Sequence, residues 1–215
     1  MKIGVFGTGV VGTTLASKLA ALGHDVKLGA RDASNVKARA WVEATGGKAS
    51  AGTFADTAKF GEIVFNATSG LGSVEAIRAA GKENLRGKTL ADVSNPLDFS
   101  KGMPPSVFTA AAGDSLGERI QAELPETHVV KTLNTINASL MVEPSRVKGE
   151  TDVFVAGNDA GAKAQVSGIL REFGWKSIVD VGGIQAARGL EAYVLFWLTV
   201  MTALKTSDFN IRIAQ

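Results

Sequence analysis

The chain has 215 residues, with 23 Lys+Arg against 21 Asp+Glu, 25 Gly, 5 Pro, 2 His and no Cys. This length predicts a single domain, with or without a small appendage, large enough to need no disulfide or metal staple. The absence of Cys excludes thiolate nucleophiles, redox dithiols and iron–sulfur ligation, and His24 and His128 cannot make a three-His metal centre, so no metal is expected.

The basic residues form no cluster of the kind nucleic acid requires. The opening MKIGVFGTG has no signal-peptide pattern, and the longest apolar run, Ala192–Leu204, is shorter than the roughly 20 residues of a membrane span. The expectation is a soluble, cytoplasmic protein with neither nucleic acid nor membrane as a partner.

Lys2–Phe6 reads as a first strand and Val10–Leu22 as a helix with Val11, Leu15, Leu19 and Leu22 on one stripe. After the turn Gly23-His24-Asp25, Val26–Leu28 is a second strand, and Ser34–Thr45 a helix with Ser34 as its N-cap. Lys48–Ala51 is a short third strand with the brief helix Thr53–Phe60 behind it. Glu62–Ala67 is the fourth strand, Gly72–Ala80 a helix and Thr89–Val93 the fifth strand. Pro104-Pro105 marks a loop before the helix Ser115–Glu123. Val129–Leu133, Asp152–Ala156 and Lys176–Val181 complete the strands, with Ala160–Phe173 helical between the last two. Gln185–Lys205 is a long terminal helix, followed by a polar tail, Thr206–Gln215.

The alternation of strand and helix predicts an α/β fold with a doubly wound, mostly parallel sheet over residues 1–182 and a C-terminal helical extension over 183–215, acting as a lid or dimerisation element. Leu190, Tyr193, Val194, Trp197, Leu198 and Met201 form one apolar face of the terminal helix, and Leu195, Phe196, Val200 and Leu204 a second. Such a helix is expected either wedged in the chain's own core or shared with a second subunit.

Gly7-Thr8-Gly9-Val10-Val11-Gly12 is a G-x-G-x-x-G sequence at the tip of an apolar strand and the start of a periodic helix, the context of a dinucleotide-binding turn in a Rossmann-type sheet. Gly7 would make the tight turn, Gly9 would let backbone approach a diphosphate, and Gly12 would let helix and strand pack closely. An NAD site would place an acid directly at the end of strand two. Here the sequence is Gly29-Ala30-Arg31-Asp32: two small residues with room for a 2′-phosphate, then a guanidinium to bind it. Ser34, Asn35 and Lys37 would add donors. This favours NADP(H), with a displaced ribose contact from Asp32 as the alternative.

Three strand-end loops carry small polar groups: Asn66-Ala67-Thr68-Ser69-Gly70, Ser94-Asn95-Pro96-Leu97 and Asn134-Thr135-Ile136-Asn137. Ligands of open α/β sheets bind outside the carboxyl ends of strands. Thr68, Asn95 and Asn134 are therefore the expected positioning residues beside the nicotinamide, with Ala67, Ser69 and Pro96 as further cofactor contacts. His24 and His128 fall away from that crevice, no paired carboxylates stand near strand ends, and Lys131, within a strand, is expected at an edge or facing solvent. No general base is evident.

The strand-one glycines, Gly29-Ala30-Arg31, Ser94-Asn95-Pro96, Val130–Asn137, Val155-Ala156-Gly157-Asn158-Asp159 and the apolar terminal helix together resemble the NADP-dependent oxidoreductases of the coenzyme F420 type, over nearly the whole chain. The resemblance implies a Rossmann domain with a small helical extension and hydride passing between NADP(H) and a deazaflavin. Gly7, Gly9 and Gly12 match that family's glycines, and Gly29-Ala30-Arg31 its Gly-Ser-Arg phosphate turn, with Ala30 in place of Ser. Thr68-Ser69 stands where the deazaflavin enzymes carry Ile-Pro, and Asn134 where they carry His. Membrane ferric reductases carry a similar domain that passes electrons to a flavin. The expected function is thus an NADPH-dependent oxidoreductase acting on coenzyme F420 or a flavin-like acceptor, as a homodimer through the terminal helix. The alternatives are an NADP(H)-binding redox sensor without turnover and a reductase of a small carbonyl or imine, with Lys131 as its sole candidate proton donor.

Overall fold

The computed structural model describes residues 1–109 and 113–214; Gln215, the end of the expected tail, lies outside the described residues. In chain order the first half comprises β1 (Lys2–Phe6), α1 (Val10–Ala21), β2 (Asp25–Ala30), α2 (Val36–Thr45), β3 (Ala49–Thr53), α3 (Phe54–Phe60), β4 (Ile63–Asn66), α4 (Gly70–Ala80), α5 (Lys82–Leu85) and β5 (Thr89–Asp92). A two-stranded hairpin, β6 (Leu97–Asp98) and β7 (Ser106–Val107), follows. The second half contains α6 (Leu116–Glu123), β8 (His128–Thr132), α7 (Ala138–Val142), β9 (Asp152–Gly157), α8 (Ala160–Glu172), β10 (Ser177–Asp180) and α9 (Ala187–Leu204).

The alternation within each strand sets the layers, because successive side chains point to opposite faces of a sheet. Ile3 and Val5 of β1 pack with Leu15, Leu28 and Phe65 on the face covered by α1, α2, α7 and α8. Phe6 packs with Phe54, Val64 and Ile77 on the other face, covered by α3, α4 and α6. The sheet order is β3-β2-β1-β4-β5-β8-β9-β10. Every neighbour pair is parallel except β8 with β9. The expected α/β, Rossmann-type, mostly parallel sheet is therefore the observed one. The order reverses between β1 and β4, the switch point at which such sheets bind ligands.

The elements not foreseen, α5, α7 and the β6–β7 hairpin, are of two to five residues, too short to carry a readable period. Ser34 does not cap α2. Asn35 does, accepting from the Ala38 N–H, while the Ser34 N–H and hydroxyl both donate to Asp32 at 2.7 and 2.8 Å.

A 3-10 turn runs into α9, making Ile184–Leu204 one helical stretch that by length and composition alone is long enough to cross a membrane. The chain's own core covers this helix over its first half and not along its whole length. Ala187, Leu190, Glu191 and Val194 are buried against the chain, whereas Leu195, Phe196 and Leu204 are 37%, 59% and 58% exposed. Two charged anchors fix its first turns: Arg188 grips Glu118 of α6 with two bonds of 2.7 and 2.8 Å, and Glu191 turns inward.

Glu191 meets Lys131, and here the sequence expectation is corrected. Lys131 is neither at an edge nor in solvent but fully buried in β8, an interior strand flanked by β5 and β9. Its ammonium lies 2.8 Å from Asp92 Oδ2 at the end of β5 and 2.9 Å from Glu191 Oε1, and also donates to the Ser94 carbonyl. Paired carboxylates do therefore stand at a strand end. Asp92 Oδ1 accepts further bonds from Asn66 Nδ2 and the Ser94 N–H and hydroxyl. Glu191 accepts the free N–H groups of Leu116 and Gly117, capping α6, whose third free N–H goes to Ser115. Two carboxylates on one ammonium leave an excess negative charge, which the helix N-terminus offsets.

Lys131→Met leaves both carboxylates buried without a counter-charge and is expected to cost about 3–5 kcal/mol, measured by urea unfolding. Burial depresses the Lys131 pKa, but Asp92 and Glu191 outweigh burial and hold it above the ordinary 10.5. A raised amine stabilises the fold fully below the unfolded value and loses that contribution as pH climbs through the folded one. The melting temperature of the wild type is thus expected to lack any Lys131-dependent step from pH 7 to about 10 and to show one above it. A step near neutrality that disappears in Lys131→Met would contradict this.

Candidate functional site

A cleft of about 640 Å³ opens at the carboxyl ends of β1, β2 and β4. Its floor is the turn Gly7-Thr8-Gly9, and the three glycines differ in their surroundings as the sequence reading requires. Gly7 has φ +104°, and a Cβ there would lie 2.5 Å from the Ala67 carbonyl oxygen. A Cβ on Gly12 would lie 2.0 Å from the Gly7 carbonyl oxygen, so only glycine lets α1 start this close to β1. A Cβ on Gly9 would meet nothing within 4 Å: backbone there faces open space. Gly9 is also the N-cap of α1 and supplies no side chain, leaving the first-turn N–H groups of Val10, Val11 and Gly12 for an anion.

Ala30, Arg31 and Asp32 line the cleft at the end of β2. Arg31 is exposed and, among the described residues, makes no ion pair, so its guanidinium is free for a ligand. The Ser34 backbone N–H, then its hydroxyl, hold the Asp32 carboxyl below its ordinary value, and Asp32 Oδ1 is spent on closing that turn. Gly29 has a different reason from the one expected. It lies inside β2, and a Cβ would sit 2.8 Å from Thr57 Oγ1 and 3.2 Å from the Phe6 ring, so it makes room for α3 and not for a phosphate. Asn35 lines the cleft; Ser34 and Lys37 are exposed beside it and do not.

A second cavity of about 400 Å³ continues from the first, Ala67, Thr68 and Ser69 lining both. Its walls add Val11 of α1, Ser94 and Asn95 after β5, Asn134 after β8, and Val194, Trp197 and Leu198 of α9. The two loops that meet here are held against one another at Gly70, where a Cβ would lie 1.9 Å from the Asn95 carbonyl oxygen. Thr68 Oγ1 donates to Asn66 Oδ1 at 2.7 Å, and Asn66 in turn donates to Asp92, so the hydroxyl is oriented through the Lys131 network.

Asn95 and Asn134 are paired. Asn95 Nδ2 donates to the Asn134 carbonyl oxygen at 2.7 Å, and Asn134 Nδ2 donates to Asn95 Oδ1 and to the Leu190 carbonyl oxygen of α9, both at 2.9 Å. The structure thus brings Thr68, Asn95 and Asn134 to one cavity and ties all three to α9. Pro96 takes part through its backbone, its Cα facing Gly70 and its carbonyl oxygen accepting from Phe108. His24 pairs with Glu172 at 2.7 Å and His128 faces Asp159, and neither lines either cavity.

Sequence reasoning missed three contributions. Lys131, Asp92 and Glu191 gave no signal because their meeting depends on the sheet order. Trp197 was read only as one residue of an apolar face. Phe209, in the tail, stacks on Trp197 with ring centres 5.4 Å apart and planes at 20°. The tail is pinned by Asn137 to Ser207 and by Asp152 to the N–H of Ile213.

Residues 2–96, which include the first cavity's lining, match the family model described as NADP oxidoreductase, coenzyme F420-dependent. The F420-dependent NADP reductase of Methanothermobacter marburgensis is 27% identical over all of this chain and 99% of its own length. Metalloreductase STEAP3 of Rattus norvegicus is 29% identical over 90% of this chain, which corresponds to 36% of that larger protein. The crystal structure of a candidate F420-dependent NADP reductase from Arthrobacter sp. FB24 superposes with a TM-score of 0.95 at 48% identity, both chains being covered completely. Fold, glycine turn and full-length similarity agree: the chain belongs to the coenzyme F420-dependent NADP oxidoreductase family.

Proposed function

We propose that the protein transfers hydride between NADP(H), held along the first cavity, and a flat ring acceptor of the deazaflavin or flavin class seated in the second. The observation that carries this reading is the shared wall: Ala67, Thr68 and Ser69 line both cavities, so two flat rings would meet there. Bound NADPH supplies the hydride, and a ring acceptor takes it without an enzyme acid or base. The chain's task is then to place and dry the pair. The first turn of α1 holds the diphosphate through N–H groups of Val10, Val11 and Gly12, and Arg31 holds the 2′-phosphate. Ser69 leaves α4 without a side-chain cap, so its hydroxyl is available at the junction. Thr68, Asn95 and Asn134 fix the facing loops.

The carbonyl or imine alternative loses its one candidate proton donor, because Lys131 is sealed between two carboxylates. Turnover separates the reading from a redox sensor, which would bind NADP(H) without oxidising it.

We further propose that the bare half of α9 is covered by a second copy of this chain in the cytoplasm. Tyr193–Leu204 contains no charged residue, and the helix's two charges, Arg188 and Glu191, are used inside the protomer. A self-complementary apolar helix suits a two-fold dimer.

Titration with NADPH and NADH is expected to show a preference for NADPH that Arg31→Ala reduces by about tenfold or more, since a charge-assisted contact is worth roughly 1.5–3 kcal/mol. Equal affinity for both cofactors in the wild type would overturn the NADP assignment. Ala at Thr68, Asn95 or Asn134 is expected to lower kcat several-fold with the circular dichroism spectrum intact; unchanged rates in all three would remove their role. Sedimentation in detergent-free buffer is expected to give a dimer that Phe196→Glu converts to monomer, and a monomeric wild type would refute the shared helix.

A further inference from the structure

Two opposite charges line the first cavity and do not meet: Arg31 after the end of β2 and Glu75 on α4. Among the described residues neither forms an ion pair, with the other or elsewhere. Arg78, three residues on from Glu75, is taken by Glu123 through bonds of 2.9 and 3.0 Å. The neighbouring polar side chains of the lining are committed. Asp32 Oδ1 accepts the N–H and hydroxyl of Ser34, and Asn35 Oδ1 accepts the Ala38 N–H as the cap of α2.

Glu75 belongs to the side of α4 that lines the cavity, with Gly72, Ala76 and Ala79 at the i, i+3, i+4 and i+7 spacing of one helix face. The other three carry nothing beyond Cβ. A Cβ on Gly72 would meet nothing within 4 Å, so no packing neighbour requires glycine there. This wall of the cavity is therefore shallow and bears one functional group, a carboxylate.

An ionised carboxylate accepts hydrogen bonds and donates none. In a cleft that holds three phosphates it repels most of its ligand, and it is favourable only beside a neutral group that offers N–H or O–H. The 2′-phosphate and the base leave adjacent carbons of one ribose. With that phosphate on Arg31, the base falls between Arg31 and the α4 wall, while the nicotinamide lies at the other end, by Ala67, Thr68 and Ser69.

We infer that Glu75 selects the base of the cofactor: its carboxylate accepts from the exocyclic amine of an adenine lying on the Gly72, Ala76 and Ala79 wall, and rejects a base that presents a carbonyl there. The inference rests on the placement of NADP(H) along the first cavity proposed above. Adenine carries its one amino group on the edge where hypoxanthine and guanine carry an oxygen. In those bases the oxygen lone pairs would face the carboxylate, so the unwanted ligand meets repulsion as well as a lost bond.

The test compares two ligands of the same outline, NADPH and reduced nicotinamide hypoxanthine dinucleotide phosphate, titrated against the full chain by nicotinamide fluorescence. The wild type is expected to bind NADPH roughly tenfold more tightly. Glu75 is exposed, so replacing it leaves the core intact. Glu75→Ala is expected to weaken NADPH and bring the two ligands to near parity. Glu75→Gln, whose amide can accept from the amine or donate to the carbonyl, is expected to admit both. Equal wild-type affinities, or a preference for NADPH that survives in Glu75→Ala, overturn the inference. Arg31→Ala separates it from the cofactor placement and is expected to weaken both ligands by one factor. If both weaken in Arg31→Ala while the wild type shows no preference, the placement stands without the base contact. If Arg31→Ala weakens neither, the placement fails and the inference fails with it.

Discussion

An ammonium buried in the middle of a sheet must be compensated, and the compensation of Lys131 organises the rest of this molecule. An isolated charge in that position would cost several kcal/mol, so β8 can occupy its place only if Asp92 and Glu191 arrive with it. Asp92 ends β5 and orders Asn66, Ser94 and, through Asn66, Thr68. Glu191 belongs to α9 and caps α6 as it reaches inward. One cation therefore joins the wall shared by the two cavities to the helix that closes the second one. The two halves of the site are built from segments far apart in the chain, yet their spacing is fixed by a single fully buried contact set.

The first half of the site was readable from the sequence because its physics is local. A strand, three glycines at set spacing and a helix lie within the first 21 residues; Gly7 answers to the adjoining Ala67, Gly12 to Gly7, and Gly9 faces open space. The second half was not readable, for equally specific reasons. Lys131 looks like any polar residue of an edge strand until β8 is known to be flanked on both sides by β5 and β9. Gly29 invited a ligand-based explanation, whereas Thr57, on the helix behind it, needs the space. Asn95 and Asn134 could be placed at strand ends, but nothing in their sequence context tells that each is the other's partner.

This division matches the relationships to other proteins. The family model ends at residue 96, past the whole lining of the cofactor cleft and within the β5 loop of the second cavity. The diphosphate and its turn are common to many oxidoreductases, so backbone N–H groups and glycines suffice for them and leave little freedom to vary. The far wall of the second cavity is made of residues from the β5 and β8 loops and from α9, away from that turn.

The contact of Phe209 with Trp197 bears on the order in which the site is made. The residues lining the cofactor cleft all lie between positions 7 and 79 and leave the ribosome early. The second cavity lacks its Trp197 wall until α9 has emerged, and that wall lacks its backing until the chain has turned at Lys205 and laid Phe209 against it. During synthesis the nucleotide cleft can therefore be complete while the second cavity is still open on one side, and that cavity gains its backed wall only when residues 197–209 have followed.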